Sequence, residues 1–507
     1  MGDDRAETLA GKGWRILSRR RVLQSAGGVI AAAFPGKGAT IAALPLSQDS
    51  PKRASKSDAD ITGRLARYML EARSKNLPPV VALEAKHRIL DTMGAMISGA
   101  KLKPGEMTIR YIRGHGGVAE ASVLTTDIKT SAINAAMANA MLAHADETDD
   151  VELVTKTHPG SSAVAAALAM AEREGSSGMD MIRAVTLGYD VCCRFLMALG
   201  PDLVRGSHRS AEGTGATFSS VAAAASLARL DETGMRYAVS YAAQQVSGLW
   251  SWTSDTEPVE KAFDFAGMGA RNGVTAVTMV QAGLTGVRDV MDCEHNVFEA
   301  LSTQPRPAEM VAELGDRFYV TETAIKAYPV GYPIQAALDA FLTLRRENGL
   351  LADNVEHIVV RLPADGAGIV DNSSMPDVNC QYVIAVALVD GAVSFANAHS
   401  YERMADPKIR AVKERVELVA DRKLMDPDAP RGGFVEVNLR NGKSVSHLTR
   451  HPPGTKENPL NTEGLNAKVR DLMAPVLGAE KTEGVIRRVN ALEELDDVRK
   501  LRPFLTL

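Results

Sequence analysis

From about Ile61 onward, apolar residues recur at the spacing of an amphipathic helix. Leu65, Tyr68, Met69 and Ala72 fall on one face, and that helix must stop before Leu77-Pro78-Pro79. Further helices are predicted over 85–94, 131–144, 161–174, 179–199, 216–230 and 232–246, with Asp231 as an N-cap. A glycine-bearing helix follows over 259–282; Gly267, Gly269 and Gly273 suit close helix crossing. After about Val320 the pattern shortens. Segments 357–362 and 415–419 are β-branched and strand-like, and 434–439 alternates before Asn441-Gly442 turns the chain into 444–448. An Asn-Gly pair of this kind predicts positive φ at both central turn positions. Helices are predicted between these strands, over 334–347 and 381–398, and again in the tail 463–507. The expected fold is therefore mostly α: a large all-helical domain built from both chain ends (61–319 and 456–507), plus a smaller α+β domain (320–455).

The first 45 residues follow another logic. Ser18-Arg19-Arg20-Arg21-Val22-Leu23 precedes an uncharged, weakly apolar stretch from Val22 to Gly36, then small residues at Ala31–Ala33 and Ile41–Ala43. Paired arginines before such a stretch look like a twin-arginine export signal, so the expected location is periplasmic or exported. The alternative is a disordered basic tail on a cytoplasmic protein. Residues 46–60 are mostly polar, have no apolar period and read as a linker.

Composition sharpens this picture. Of 507 residues, 45% are apolar but only 5% aromatic, so small and aliphatic side chains must fill the core, which suits closely packed helices. The charge balance, 58 basic against 62 acidic residues, argues against a nucleic-acid partner, because phosphate neutralisation needs a basic surface. No charge-free apolar run reaches about 18 residues, so no membrane role is expected beyond export. The four cysteines, Cys192, Cys193, Cys293 and Cys380, form no CxxC and lack the spacing of an iron–sulfur cluster.

Three polar clusters remain. His144, Asp146, Glu147, Asp149, Asp150 and Glu152 crowd the end of an Ala-rich helix, and His158-Pro159-Gly160 opens the next one. Carboxylates so close repel one another, so one could act as an acid or base near neutral pH. An EF-hand is excluded, because the sixth-position Gly and terminal Glu are absent. A solvated charge run at a helix end is the simpler alternative. The second cluster, Gly206-Ser207-His208-Arg209-Ser210 before Gly213-Thr214-Gly215, suits a carboxylate or phosphate, or is a plain loop; it fails both the phosphate-loop and dinucleotide patterns. The third comprises Lys261, Lys326-Ala327-Tyr328-Pro329 and Gln381-Tyr382. No Gly-x-Ser-x-Gly elbow or His-Glu-x-x-His occurs.

Taken in order, these segments resemble the MmgE/PrpD family. The matching stretches are 85–94, His144…Asp149-Asp150…His158-Pro159-Gly160, Lys261…Gly269-Ala270-Arg271-Asn272-Gly273, Gly283–Gly286, Lys326–Pro329 and Tyr382–Gly391. The likeness runs from about Asp60 to Leu507. It implies a helical domain with the α+β domain as a lid, an active site between them, a homodimer, and no cofactor, metal or cluster. It also implies lyase or isomerase chemistry on a small polycarboxylate, nearest to 2-methylcitrate dehydratase. The alternatives are a decarboxylase or epimerase of the same family, and an exported, catalytically silent polycarboxylate-binding relative. Carried over by position, His158, His208 and Tyr382 are expected to act on the substrate. The base is expected among Asp146, Glu147, Asp149 and His158, so Glu147, Asp149, His158, His208 and Tyr382 are the expected catalytic residues. Arg209, Lys261 and Lys326 are expected to hold carboxylates. The chain departs from the family pattern at Val151, where a threonine is common, in one extra residue before His158, and at Gly331, where decarboxylase members carry a histidine.

Overall fold

The computed structural model describes residues 60–507; the segment 1–45 and the linker 46–60, apart from Asp60, lie outside the described residues. The main helices are α1 (Ile61–Ala72), α2 (Pro79–Gly99), α3 (Ala132–Ala143), α4 (Pro159–Glu174), α5 (Gly178–Leu199), α6 (Ala211–Leu227), α7 (Glu232–Ala243) and α8 (Met268–Gln281). Beyond them come α9 (Gln335–Asn348), α10 (Cys380–Asp390) and α11 (Thr462–Leu477). Local chemistry sets their starts. Ser131 accepts from the amide of Asn134, Asp231 from that of Gly234, and Ser177 forms a capping box with Asp180.

A larger core draws on residues from Ile61 to Ile325 and again from Leu465 to Leu505, so both ends of the described chain build one helical domain. Small side chains are what allow its packing. A Cβ at Gly269 would collide with Ala216, and one at Gly273 would lie 2.5 Å from Ser220 Cβ, so α8 crosses α6 almost backbone to backbone. A separate core, from Val330 to Val437, belongs to the smaller α+β domain. There, strands β1 (Val355–Pro363), β2 (Val416–Asp421), β3 (Gly433–Leu439) and β4 (Ser444–Thr449) lie in the order β2-β1-β3-β4. β1 and β2 are parallel, with Val360 opposite Leu418; β1–β3 and β3–β4 are antiparallel, with Val360 opposite Val435 and Val437 opposite Val445. Among the described residues no helix is long and apolar enough to cross a membrane.

Four local expectations are corrected. α6 begins at Ala211 rather than Ala216, because Ser210 caps it by accepting from Gly213; Gly213-Thr214-Gly215 is therefore helical, not a phosphate-cradling loop. The predicted helix 259–282 contains a π turn at Phe263–Gly267, a form common at functional sites. The predicted helix 381–398 breaks at Gly391, whose φ is +88°, and resumes as one turn at Phe395–Ala398 behind a Ser394–Asn397 capping box. In the hairpin only Gly442 has positive φ. Its amide donates to Leu439, giving a type I turn with a glycine bulge, and the Asn441 side chain accepts from the Lys443 amide.

Candidate active site

α3 delivers His144 at its C-terminal end, and the acidic loop 144–158 then leads into α4. Lys326 reaches the loop through a backbone bridge. The Val151 amide donates to Ala324 at 3.0 Å and the Ala324 amide donates back at 2.8 Å. Val151 thus joins the two segments by its backbone and packs its side chain near Tyr332. Lys261 arrives from the short helical turn Val259–Ala262, just before the π turn.

Together these segments gather six side chains into one buried cluster. Lys261 Nζ donates to Glu147 Oε1, and Lys326 Nζ donates to Glu147 Oε2 at 3.0 Å and to Asp149 Oδ1 at 3.4 Å. His144 Nδ1 donates to Asp149 Oδ2 at 2.7 Å, and His158 Nδ1 lies 3.2 Å from Asp149 Oδ1. Phe265, placed by the π turn, stacks on His144 at 4.4 Å and sits 5.5 Å from His158; Lys261 Nζ lies 5.3 Å from its ring centre. Lys326 and Asp149 are fully buried, and the Glu147 side chain is 11% exposed.

Burial and charge act against each other here. Burial alone would raise the Glu147 carboxyl, but Lys261 and Lys326 outweigh it and hold it well below the usual range. Asp149 is likewise held low against its burial by His144, His158 and Lys326. Burial dominates at His144 and pushes its imidazole down to about 4, so the ring is neutral at pH 7. With Nδ1–H donated to Asp149, His144 Nε2 carries the lone pair, and it is buried without a partner. Two ammonium groups therefore face two carboxylates; Asp149 bonds the His144 imidazole and lies 3.2 Å from His158 Nδ1, which is buried without a hydrogen-bond partner.

His144, Asp149 and His158 present ligand atoms within 4.8 Å of one another. Both Asp149 oxygens, however, already face donors, and a cation there would have to displace Lys326. The cluster fits an anion-binding acid–base site better than a metal cage.

A second polar layer supports the loop. Asp150 Oδ1 accepts from the Gly160 amide at 3.1 Å, so Asp150 rather than a ligand occupies the first free amide of α4. Asp146 is tied to Ser98 at 2.7 Å and to Thr148 at 2.5 Å. Arg88 Nε donates to Thr323 Oγ1 at 2.9 Å, and Lys468 joins Asp91 to the Thr148 carbonyl.

Of the eight expected site residues, Glu147, Asp149, His158, Lys261 and Lys326 meet. Three do not. His208 is exposed, because the chain reverses there between a short helix and the α6 cap, with φ +63°; its carbonyl accepts from Trp250. The Arg209 guanidinium donates through Nε to Ser207 Oγ and through Nη2 to the Leu301 carbonyl, and has no contact with the cluster's carboxylates. Tyr382 lies in the smaller core, and its hydroxyl donates to the Asn397 carbonyl at 2.5 Å. His144, Phe265 and Lys468 were not assigned roles from sequence. His144 adjoined the acidic motif, whereas nothing local marked the other two.

A buried cluster of two lysines, two carboxylates and two imidazoles thus sits at the edge of a mainly helical domain, whose one small sheet among the described residues pairs Ala121–Ser122 with Lys129–Thr130, and which bears an α+β partner. Family comparison is in agreement: the MmgE/PrpD N-terminal domain matches residues 63–310, and the MmgE/PrpD C-terminal domain matches residues 328–494. The chain belongs to the MmgE/PrpD family. It is 24% identical over 488 residues to the cis-aconitate decarboxylase-like protein oryM of Aspergillus oryzae, covering 89% of this chain and 98% of that one. It is 25% identical over 450 residues to the cis-aconitate decarboxylase of Homo sapiens, covering 84% and 90%. A shorter match, 25% over 156 residues, covers 27% of this chain and 30% of the mitochondrial 2-methylcitrate dehydratase of Yarrowia lipolytica.

Proposed function

We propose that the protein is a cofactor-independent lyase acting on a small polycarboxylate, with dehydration as the first reading. The observation that carries this is the convergence of Lys261, Lys326, Glu147, Asp149, His144 and His158 in one buried cluster. Lysines in a low-dielectric site suit a polyanion. Glu147, so strongly stabilised as the anion, is a weak base; its task is to hold the two ammonium groups until substrate carboxylates arrive. His158, whose Nδ1 lies 3.2 Å from Asp149, is the base that takes a proton from the carbon next to a carboxylate. The neighbouring C–O bond then breaks, its electron pair leaves with oxygen, and an added proton completes water.

Decarboxylation is the second reading, favoured because the relatives matched over nearly their whole length are named cis-aconitate decarboxylase or decarboxylase-like. Incubation with 2-methylcitrate, citrate and cis-aconitate at neutral pH, followed by proton NMR and CO2 detection, separates these. An alkene with water released supports the first reading, and CO2 supports the second. Folded protein that binds citrate in calorimetry yet converts none of the three compounds would replace both with a silent binding protein. Export and a homodimer belong to the same proposal. Arg19→Lys with Arg20→Lys should leave the protein in the cytoplasmic fraction, and sedimentation should give the dimer mass.

A further inference from the structure

A cavity of about 340 Å³ lies between the helical and α+β domains, with Ala145 on one wall and Asp377, His399 and Tyr401 on the other. Ala145 directly precedes Asp146 and Glu147, so the cavity borders the acidic loop. The charges of Glu147 and Lys261 are felt at Asp377, and that of His399 at Asp146.

His399 is built in with care. Its Nδ1 donates to the Phe395 carbonyl at 2.9 Å, and its ring packs 4.3 Å from the Phe395 ring. This bond fixes the neutral tautomer, leaving Nε2 as the atom that gains and loses a proton. The His399 side chain is nine-tenths buried, yet Nε2 has no hydrogen-bond partner. The nearest acid, Asp377 Oδ2, lies 3.7 Å away, close enough to orient an imidazolium but too far to bind its proton. A buried, unpartnered imidazole nitrogen costs free energy unless a ligand uses it.

Tyr382 explains how this imidazole is held. Its hydroxyl donates to the carbonyl of Asn397, at 2.5 Å, and reaches that of Ser400 at 3.4 Å, the residues that bracket His399. Asn397 in turn closes the Ser394 capping box, and its side chain donates to the Ala392 carbonyl at 3.1 Å. The turn carrying His399 is thereby pinned to α10.

We propose that His399, aligned by Asp377 and carried on the turn that Tyr382 secures, is the acid that the α+β domain presents to a polycarboxylate held by Lys261 and Lys326. Resting on the lyase reading above, this names the group that supplies the second proton. In dehydration the proton leaves Nε2 for the departing oxygen, which takes the C–O electron pair and leaves as water; the base on the other side holds the carbon's proton. In decarboxylation a C–C bond breaks, CO2 leaves, and the electron pair remaining on carbon receives the same proton. Either way His399 ends neutral and is recharged from solvent. Asp377 and Tyr382 are positioning residues. The other charged or titratable groups facing the cavity are Tyr401, Lys103 and Glu257, with Asp146 behind Ala145.

The test compares wild type with His399→Gln, His399→Ala and Tyr382→Phe on whichever of 2-methylcitrate, citrate or cis-aconitate is turned over. Both His399 variants should lose about 10²- to 10⁴-fold in kcat, with KM within threefold and the alkaline limb of the pH profile gone. Tyr382→Phe should lower kcat by about tenfold while keeping that limb. Unchanged kcat and pH profile in folded His399→Gln overturns the inference and leaves the lyase reading standing. If wild type converts none of the compounds, the lyase reading falls, and histidine-selective NMR judges the site. The His399 Nε2 resonance, assigned with His399→Gln, must move on adding citrate; a fixed resonance overturns the inference.

Discussion

Lys468 donates to Asp91 Oδ1 at 2.6 Å across 377 positions of sequence, and both side chains are buried. The same ammonium donates to the Thr148 carbonyl at 2.7 Å, so a residue of α11 holds the floor of the acidic loop. Burial pushes the Asp91 carboxyl up while Lys468 pulls it down, and the net direction is upward. Removing one partner of a buried pair leaves an uncompensated charge, at a cost of about 3–5 kcal/mol. Lys468→Met should therefore melt well below wild type, and the double variant Lys468→Met with Asp91→Leu should recover most of the loss. Melting curves of the three proteins check this; equal losses in the single and double variants would show that the pair is not the source.

Glu147 and its two lysines make an opposite prediction about binding. The carboxylate neutralises Lys261 and Lys326 in the free enzyme, so it competes with the substrate's own carboxylates. Glu147→Gln keeps the shape and removes the charge. Citrate should then bind about tenfold more tightly in calorimetry, a gain of about 1.4 kcal/mol, while Lys326→Met should weaken it. His158→Gln should instead lower kcat by at least about 10²-fold with little change in binding. Weaker citrate binding by Glu147→Gln would make Glu147 a direct substrate ligand.

Why five of the expected site residues converge and three do not has a physical reason. Glu147, Asp149 and His158 share one short loop between Ala-rich helices whose period is plain, so their proximity is almost local. Lys261 and Lys326 required the family resemblance, because nothing in their own neighbourhoods says which carboxylate they meet. Tyr382 sits at the expected start of its helix, but sequence cannot tell that two carbonyls past Gly391 take up its hydroxyl. His208 fails similarly, since its left-handed backbone depends on where Ser210 caps α6. The mainly helical architecture was legible from period alone. Phe265 was hidden by a π turn that periodicity reads as ordinary helix, and Lys468 by its distance in sequence from Asp91.

Asp264 gives a pH-dependent prediction. Burial raises its carboxyl to about 7, although its Oδ1 accepts from the Leu249 amide at 3.2 Å. A carboxyl raised in the folded state stabilises the fold below its unfolded value of 3.8, and that stability is lost as pH rises through about 7. At about 1.4 kcal/mol per pKa unit, the loss approaches roughly 4 kcal/mol as an upper bound. Asp264→Asn keeps an acceptor for Leu249 but cannot ionise. The variant should match wild type near pH 4 and become the more stable protein by pH 8. Parallel melting curves across that range would refute the assignment.

Gly160 tests how tightly the loop is seated on α4. A Cβ there would lie 2.5 Å from Asp150 Oδ1, 2.6 Å from Tyr189 Oη and 2.7 Å from Thr92 Oγ1. All three belong to buried residues, and Asp150 is already anchored by the Gly160 amide, so it cannot retreat without breaking that bond. Overpacking of this kind costs about 1–3 kcal/mol. Because Asp149 is the adjacent residue, displacing Asp150 should also move the carboxylate that lies beside His158 and bonds His144. Gly160→Ala is therefore expected to lower the melting temperature modestly and kcat by about 10²-fold, the scale of an approximately 1 Å misplacement. A variant that loses stability but keeps full kcat would show that the second layer supports the fold without setting the catalytic geometry.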